Sequence, residues 1–435
     1  MDVDTQIPTE VELAFELMPC QAERVAQNPG AAAHPCSYFR KWGTYHSFDY
    51  ESAGPPKPGI SAAAEYVGRA PLVPEMLSGC RKAPMLAVGI NPNLPGWWPN
   101  LRGSLNPLFD DYRQYAHYFR YRRMAKPELT SQDYASFGGT SADAPPGSSF
   151  ALNVPTDTEG HKTVTLHWRD QQMYRQYQGL LDALAGGMSW PPNRLTVGED
   201  LSYGNMVACP SAKWTTQADQ DQPTLPPMSE AERRGIVGEC FSGRRYFLRQ
   251  LFQSLPSVIL VFSQNTASTF IGALQGRFSQ GDPKPSDSIA VLMEREVVLH
   301  FGDLPDGTTL DARVLFGPHP TGNPGAWEQA KLKVVGQLVQ CAHGGRLRLN
   351  STTGRLARPL GSCVFCPMLG IGPCDYLAEL KPIAKPPVLT ADRVPGLGED
   401  KAAQTELLKH FIEHLNPAAD AWAASDDTES GPPAV

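Results

Sequence analysis

No stretch of this 435-residue chain reaches the roughly 18 consecutive apolar residues that a membrane-spanning helix needs, so no membrane partner is expected. No secretory leader is expected either. Met1-Asp2-Val3-Asp4-Thr5 carries acids where a basic segment would stand, and no apolar core with a cleavage site follows. A cytoplasmic location is the expectation. Excess positive charge is also lacking: the formal net charge is -7, which excludes a surface that is basic all over. Nucleic acid stays open as a partner, because its electrostatic footprint depends on how charge is distributed. Internal repeats are not evident.

Proline and glycine, in contrast, are plentiful at 41 and 39 residues, which implies long ordered loops. The length suits one large domain or a large domain with a smaller module. Residues 1–80 read as an extension packed on a core, with a helix over Glu10 to Glu23. Pro84 to Gly89 is the first strand-like run, and Gly89-Ile90-Asn91-Pro92-Asn93 turns it into a loop at its carboxyl end. Residues 94–170 form a long excursion with a polar loop from Ser136 to Ser149. Its length suggests a binding or lid role. A helix follows from Asp170 to Leu184, then a strand over Tyr203 to Pro210. Ser229 with Glu232 three residues on forms a capping-box pattern that opens a long helix through Phe252. Ser257 to Phe262 is a strand, Ala267 to Leu274 a helix, Arg313 to Gly317 a strand and Gly325 to Cys341 a helix. This alternation predicts a three-layer α/β/α sandwich with a mainly parallel central sheet over residues 81–342. Residues 343–415 read as a basic, cysteine-containing module with a terminal helix, and 416–435 as a disordered tail.

Two apolar strands end in an Asn-Pro and a His-Pro loop, Asn91-Pro92 and His319-Pro320, which predicts a positioned polar pair at one edge of the sheet. Either loop alone is a common structural turn. Asn205, within the strand over Tyr203 to Pro210, supplies a donor and an acceptor on one amide. Ile90, Trp97 and Trp98 are candidate walls for an aromatic ligand, and Asp110 and Asp111 could aid a water if the excursion folds back. Thr321, Gly322 and Asn323 could bring backbone amides to a phosphate. Two basic patches are candidate DNA contacts. One contains Arg120, Arg122 and Arg123 among aromatics, a pattern equally suited to an amphipathic helix packed on the core; the other contains Arg346 and Arg348 beside Arg355 and Arg358.

Nine cysteines include Cys363-Val364-Phe365-Cys366 and Cys374, a pair plus one that suggests metal ligands in a reducing compartment. Cys209, Cys240 or Cys341 is left to supply another. The spacing leaves a [4Fe-4S] cluster, a structural zinc and no metal all open.

In their order, Gly89-Ile90-Asn91-Pro92, Asn205-Met206-Val207-Ala208-Cys209 and His319-Pro320-Thr321-Gly322 resemble the motifs of the uracil-DNA glycosylase superfamily. The first motif is most similar to those of its mismatch-specific and single-strand-selective branches. The resemblance covers residues 80–342, broken by long unmatched segments. It implies a monofunctional DNA glycosylase in which Asn91 orients water, Asn205 reads a base flipped out of damaged or modified DNA, and His319 stabilises the departing base. A monomer is expected. Cys209 and Cys240 resemble two ligands of the iron-sulfur branches, whose remaining Cys-x2-Cys pair precedes the first motif. Here the pair at Cys363 and Cys366 follows the core instead. Some members look like antiviral enzymes that remove bulky modified bases, so uracil-type and hypermodified cytosine substrates are both expected classes. A DNA or modified-base binding protein of the same fold is the alternative.

Overall fold

The computed structural model describes residues 74–92, 172–209, 228–304 and 306–358. It also describes 13, 17, 36, 44–45, 71–72, 116, 119–120, 125–129, 149–155, 161–170, 214, 365–366 and 409–411. Its strands are β1 (Thr44–Tyr45), β2 (Pro71–Leu72), β3 (Met85–Gly89), β4 (Ala125–Leu129), β5 (Ser149–Pro155), β6 (His161–Asp170), β7 (Leu201–Asn205), β8 (Val258–Phe262), β9 (Phe278–Gln280), β10 (Val297–Asp303) and β11 (Thr309–Gly317). Its longer helices are α1 (Gln172–Gly187), α2 (Glu230–Val237), α3 (Tyr246–Ser254), α4 (Gln264–Ala273), α5 (Ile289–Glu294) and α6 (Pro324–His343).

The architecture is α/β, around a mixed six-stranded sheet in the order β7-β3-β8-β11-β10-β9. β7, β3, β8 and β11 run parallel. β10 is antiparallel to both of its neighbours, so the sheet carries an antiparallel edge that the apolar runs did not announce. At the centre, Val-Ile-Leu-Val-Phe of β8 is buried at every position, as a strand covered on both faces requires. Tyr177 of α1 stacks on Phe262 at 5.7 Å, and Trp327 of α6 meets the same ring edge-on at 5.1 Å. Trp327 Nε1 donates to Gln176 of α1, which ties the two helices together. On β7, Tyr203 faces Tyr174 and Tyr177 of α1, whereas a β-carbon on Gly204 would meet Phe247 of α3 at 3.5 Å. Successive strand residues point to opposite faces, so α1 and α3 approach β7 from opposite sides.

The capping box at Ser229 and Glu232 forms as its pattern predicts. The long helix expected beyond it is instead broken into three pieces. After α2, Gly238–Gly243 makes a π-turn, and Arg245 takes a left-handed conformation before α3 begins. This extra residue in the turn brings Cys240 Sγ to the Ala208 amide, 3.4 Å away. The excursion over 94–170 also differs from expectation, because β4, β6 and β5 form an antiparallel sheet of their own. Alternation in Thr163-Val164-Thr165-Leu166 was the period-2 signal for it.

Segments outside 81–342 share the same core. Leu13, Leu17, Cys36, Leu347, Leu356, Phe365 and Phe411 join the cluster that contains β3 and β8. Residues 75–78 line the outer edge of β7, with Glu75 bonded to Ala208 and Ser78 to Tyr203. At the amino end of that strand, fully buried Asp200 accepts from the Thr196 amide at 2.8 Å and the Leu356 amide at 2.9 Å, and pairs with Arg355 at 3.3 Å. Asp200→Ala should therefore cost about 2–4 kcal/mol, since two amides lose their acceptor. Urea denaturation checks this, and an unchanged midpoint would show that the latch carries no stability.

Candidate active site at the carboxyl edge of the sheet

Register places the ends of four parallel strands side by side. Gly89 lies opposite Asn205, Val88 opposite Val261, and Phe262 opposite Gly317. The loops that carry Asn91 and His319 therefore leave the same edge, two strand positions or about 10 Å apart. Between them is the turn from β8 into α4. Ser263 there has φ 115° and ψ 150°, a region nearly reserved for glycine that costs about 1–3 kcal/mol. It is held by its amide donating to Gly317 O at 2.9 Å and by its Oγ accepting from the Thr266 amide at 3.1 Å. Sequence reading passed over Ser263; the end of the apolar run at Phe262 was the signal that would have found it.

The Asn91 loop is stitched to the chain leaving β7. Met206 and Val207 amides donate to Gly89 O and Ile90 O at 3.0 and 2.8 Å, and Ile90 is buried. Asn91 Nδ2 donates to the carbonyls of Pro92 at 3.1 Å and Cys209 at 3.4 Å, which fixes the plane of its amide. Asn205 is buried, and its Oδ1 accepts from the Tyr203 hydroxyl at 3.1 Å. Gly89 must be a glycine beside them. A β-carbon there would lie 2.0 Å from the Tyr203 hydroxyl and 2.5 Å from Asn205 Oδ1.

His319 Nδ1 is surrounded by donors. The amides of Thr321 and Gly322 point at it from 3.2 and 2.9 Å, and Thr321 Oγ1 is 3.2 Å away. A nitrogen that accepts from two amides carries no proton, so the proton of the neutral ring is on Nε2. Burial lowers the pKa of the ring, favouring the same neutral form.

Several expected DNA contacts are engaged elsewhere. The Thr321 and Gly322 amides are turned onto His319, and Asn323 caps α6 by accepting from the Ala326 amide, so the phosphate contacts expected of these groups are not presented. Arg120 is buried on a helical stretch with Ala116 and Phe119, where it forms a two-point ion pair with Glu199 at 2.7 and 2.9 Å. Burial alone would weaken its charge, but Cys80 and Glu199 nearby raise its pKa overall. It belongs to the core at the amino end of β7. Arg346 pairs with Asp311, and Arg358 reaches Glu199, so this basic segment also lies toward the amino edge, away from Asn91 and His319. Arg348 is exposed there and bonds Gly345 O. Trp97, Trp98, Asp110, Asp111, Arg122 and Arg123 lie outside the described residues.

Among the candidate metal ligands, Cys209 and Cys240 are both buried, and Cys240 Sγ lies 3.4 Å from the amide of Ala208, the residue before Cys209. Cys366 is elsewhere. It follows Phe365, whose ring is covered by Arg81, and it lies within electrostatic range of Arg120 at the amino end of β7. Among the described residues no three histidine, cysteine or acidic side chains converge on a metal position; Cys363 and Cys374 lie outside them. No helix among those residues is long and apolar enough to cross a membrane. Set against protein-family models and curated proteins, the chain matches none.

Proposed function

We propose that this chain is a monofunctional DNA glycosylase of the uracil-DNA glycosylase type, built as a three-layer α/β/α sandwich. The observation that carries this reading is a histidine whose Nδ1 is committed as an acceptor, on the same sheet edge as Asn91 and Asn205. A base rotated out of the DNA stack would meet Asn205 along one edge. As the C1′–N bond lengthens, negative charge grows on a base oxygen, and His319 Nε2–H donates to it. Asn91 cannot deprotonate a water, but Oδ1 has two lone pairs and can hold one for attack on C1′. The water oxygen bonds to C1′, its proton is released, and the base leaves with the electron pair of the broken bond. No lysine lies in these loops to form a Schiff base, so strand cleavage is not part of the reaction.

The remaining parts of the proposal are a DNA partner approaching the carboxyl edge, a monomeric cytoplasmic protein, and a damaged or modified pyrimidine as substrate, either uracil-type or a bulky hypermodified cytosine. The test is mass-spectrometric identification of bases released from DNA containing uracil, mismatched thymine, oxidised cytosines or glycosylated cytosines. Release of one of these supports the reading. Tight binding with no product would make the chain a binding module.

A [4Fe-4S] cluster, with zinc as the alternative, belongs to the same proposal. Cys209 and Cys240 suit two of its ligands, since both are buried and an amide N–H already points at Cys240 sulfur, a contact that stabilises a thiolate ligand. Its role would be to brace the chain leaving β7, which holds Asn91. Protein purified without oxygen is expected to contain iron and sulfide, and to lose them in Cys209→Ser and Cys240→Ser variants; Cys366, which lies at the amino end of β7, is not a ligand of the same site. Elemental analysis and Mössbauer spectra decide. Zinc without iron would replace the cluster, and a folded, active, metal-free wild type would remove both.

A further inference from the structure

Tyr203 has no part in the motifs that led to Asn205, yet its hydroxyl is the hydrogen-bond partner of the Asn205 side chain among the described residues, at 3.1 Å. The two residues share one face of β7 because strand side chains repeat with period 2. The tyrosine ring is fixed independently of that bond, edge-on to Tyr174 at 5.6 Å and tilted against Tyr177 at 6.4 Å, with only 8% of the residue exposed. The absence of a side chain at Gly89 makes room for both groups.

An asparagine amide can face a ligand with its oxygen or its nitrogen, and which one it presents decides whether it accepts or donates. Here the oxygen is turned toward Tyr203. The nitrogen is therefore the atom presented away from the tyrosine, toward the carboxyl edge where a base would enter. We infer that Tyr203 is a positioning residue that holds the Asn205 amide nitrogen outward, so that the site selects a pyrimidine with an acceptor at C4 over one with an amino group there. A 4-keto oxygen accepts from Nδ2; a 4-amino group meets it donor to donor. This inference rests on the proposal that Asn205 reads a flipped base, and it concerns recognition alone.

The experiment measures binding, so it does not depend on turnover. Oligonucleotides carry one 2′-fluoroarabino uridine or cytidine, whose fluorine withdraws electrons and makes the glycosidic bond resistant to cleavage. Fluorescence anisotropy gives the ratio of the two affinities. Wild type is expected to prefer the keto base by about tenfold, and Tyr203→Phe, which keeps the ring and deletes only the hydroxyl, to reduce that ratio about three- to tenfold. Gly89→Ala should reduce it too, by displacing the hydroxyl and Asn205 together. Unchanged thermal melting of Tyr203→Phe separates loss of selection from loss of fold, which a merely structural tyrosine would show instead. Wild type that binds the two oligonucleotides equally, or binds neither, overturns the inference, as does a Tyr203→Phe variant that keeps the full ratio. If the ratio behaves as expected but ordinary deoxyuridine DNA yields no free base, glycosylase activity fails and the role of Tyr203 stands.

Discussion

Asn91→Ala is expected to slow single-turnover base release by about 100-fold or more, since a misplaced reactant costs that much, while DNA binding changes by no more than about threefold. The asymmetry follows from where the residue acts. Asn91 leaves the end of β3 with its nitrogen bonded to the Pro92 and Cys209 carbonyls, which fixes the plane of the amide in which its oxygen would hold a water. Alanine removes that acceptor without disturbing the Met206 and Val207 amides that stitch the loop to the chain leaving β7. Asn91→Asp is the sharper comparison. A carboxylate oxygen in place of Nδ2 would face those two carbonyls as an acceptor facing acceptors, so the side chain must rotate away from its water-holding position. Asn91→Asp should therefore fail to restore the rate at neutral pH. A rate near wild type would mean that the residue works as a general base and not as a fixed dipole. Parallel losses of binding and release in Asn91→Ala would assign it to DNA contact.

How far the sequence disclosed this site depended on whether the signal was local. β3 and β8 are short apolar runs ended by Gly-Ile-Asn-Pro and Ser-Gln, and such punctuation needs nothing from the rest of the chain. The shared edge of the Asn91 and His319 loops followed from reading those strands as parallel, and the register bears it out. The second strand was read too late, at Tyr203 in place of Leu201, because residues 206–209 are apolar yet have left the ladder to follow the Asn91 loop. Arg120 shows the opposite limit. Among Tyr115, Tyr118 and Arg122 it has the look of a phosphate contact, and the acid that claims it, Glu199, is 79 positions away in sequence. Arg346 and Arg355 are claimed in the same way by Asp311 and Asp200, through folding that brings a C-terminal segment to the amino end of β7 and β11. Charge in sequence counts cations; only the fold says which of them are already neutralised. The π-turn at Cys240 was hidden for a similar reason, since Gly238-Glu239-Cys240-Phe241 continues a helical pattern and only the Ala208 amide makes the extra residue worthwhile.

Replacing His319 by alanine should cost about 100- to 1,000-fold in release, the usual loss for one donor to a developing oxyanion. The pH profile tests the assigned tautomer more directly. With Nδ1 accepting from Thr321 and Gly322, protonating the ring would set a cationic N–H against two amide N–H groups in a half-buried site, and burial already pulls its pKa below the ordinary 6.5. The release rate should therefore stay level as pH falls through 6.5 and drop only below the depressed value. The same shift carries a stability consequence of definite sign. Between the depressed value and 6.5 the unfolded chain binds the proton and the folded one does not, so stability from this group is complete above 6.5 and declines as pH falls through that window. His319→Asn separates the two roles of the ring. Its Oδ1 can replace Nδ1 as acceptor for the loop amides, but Nδ2 cannot reach as far as Nε2. It should keep the thermal stability that His319→Ala loses, abolish the pH dependence of stability, and remain as slow as His319→Ala in release. A midpoint at or above 6.5 would mean that the ring is not depressed by its surroundings, and a release rate that rises as pH falls through 6.5 would make the protonated ring the donor and withdraw the neutral Nε2–H from the mechanism.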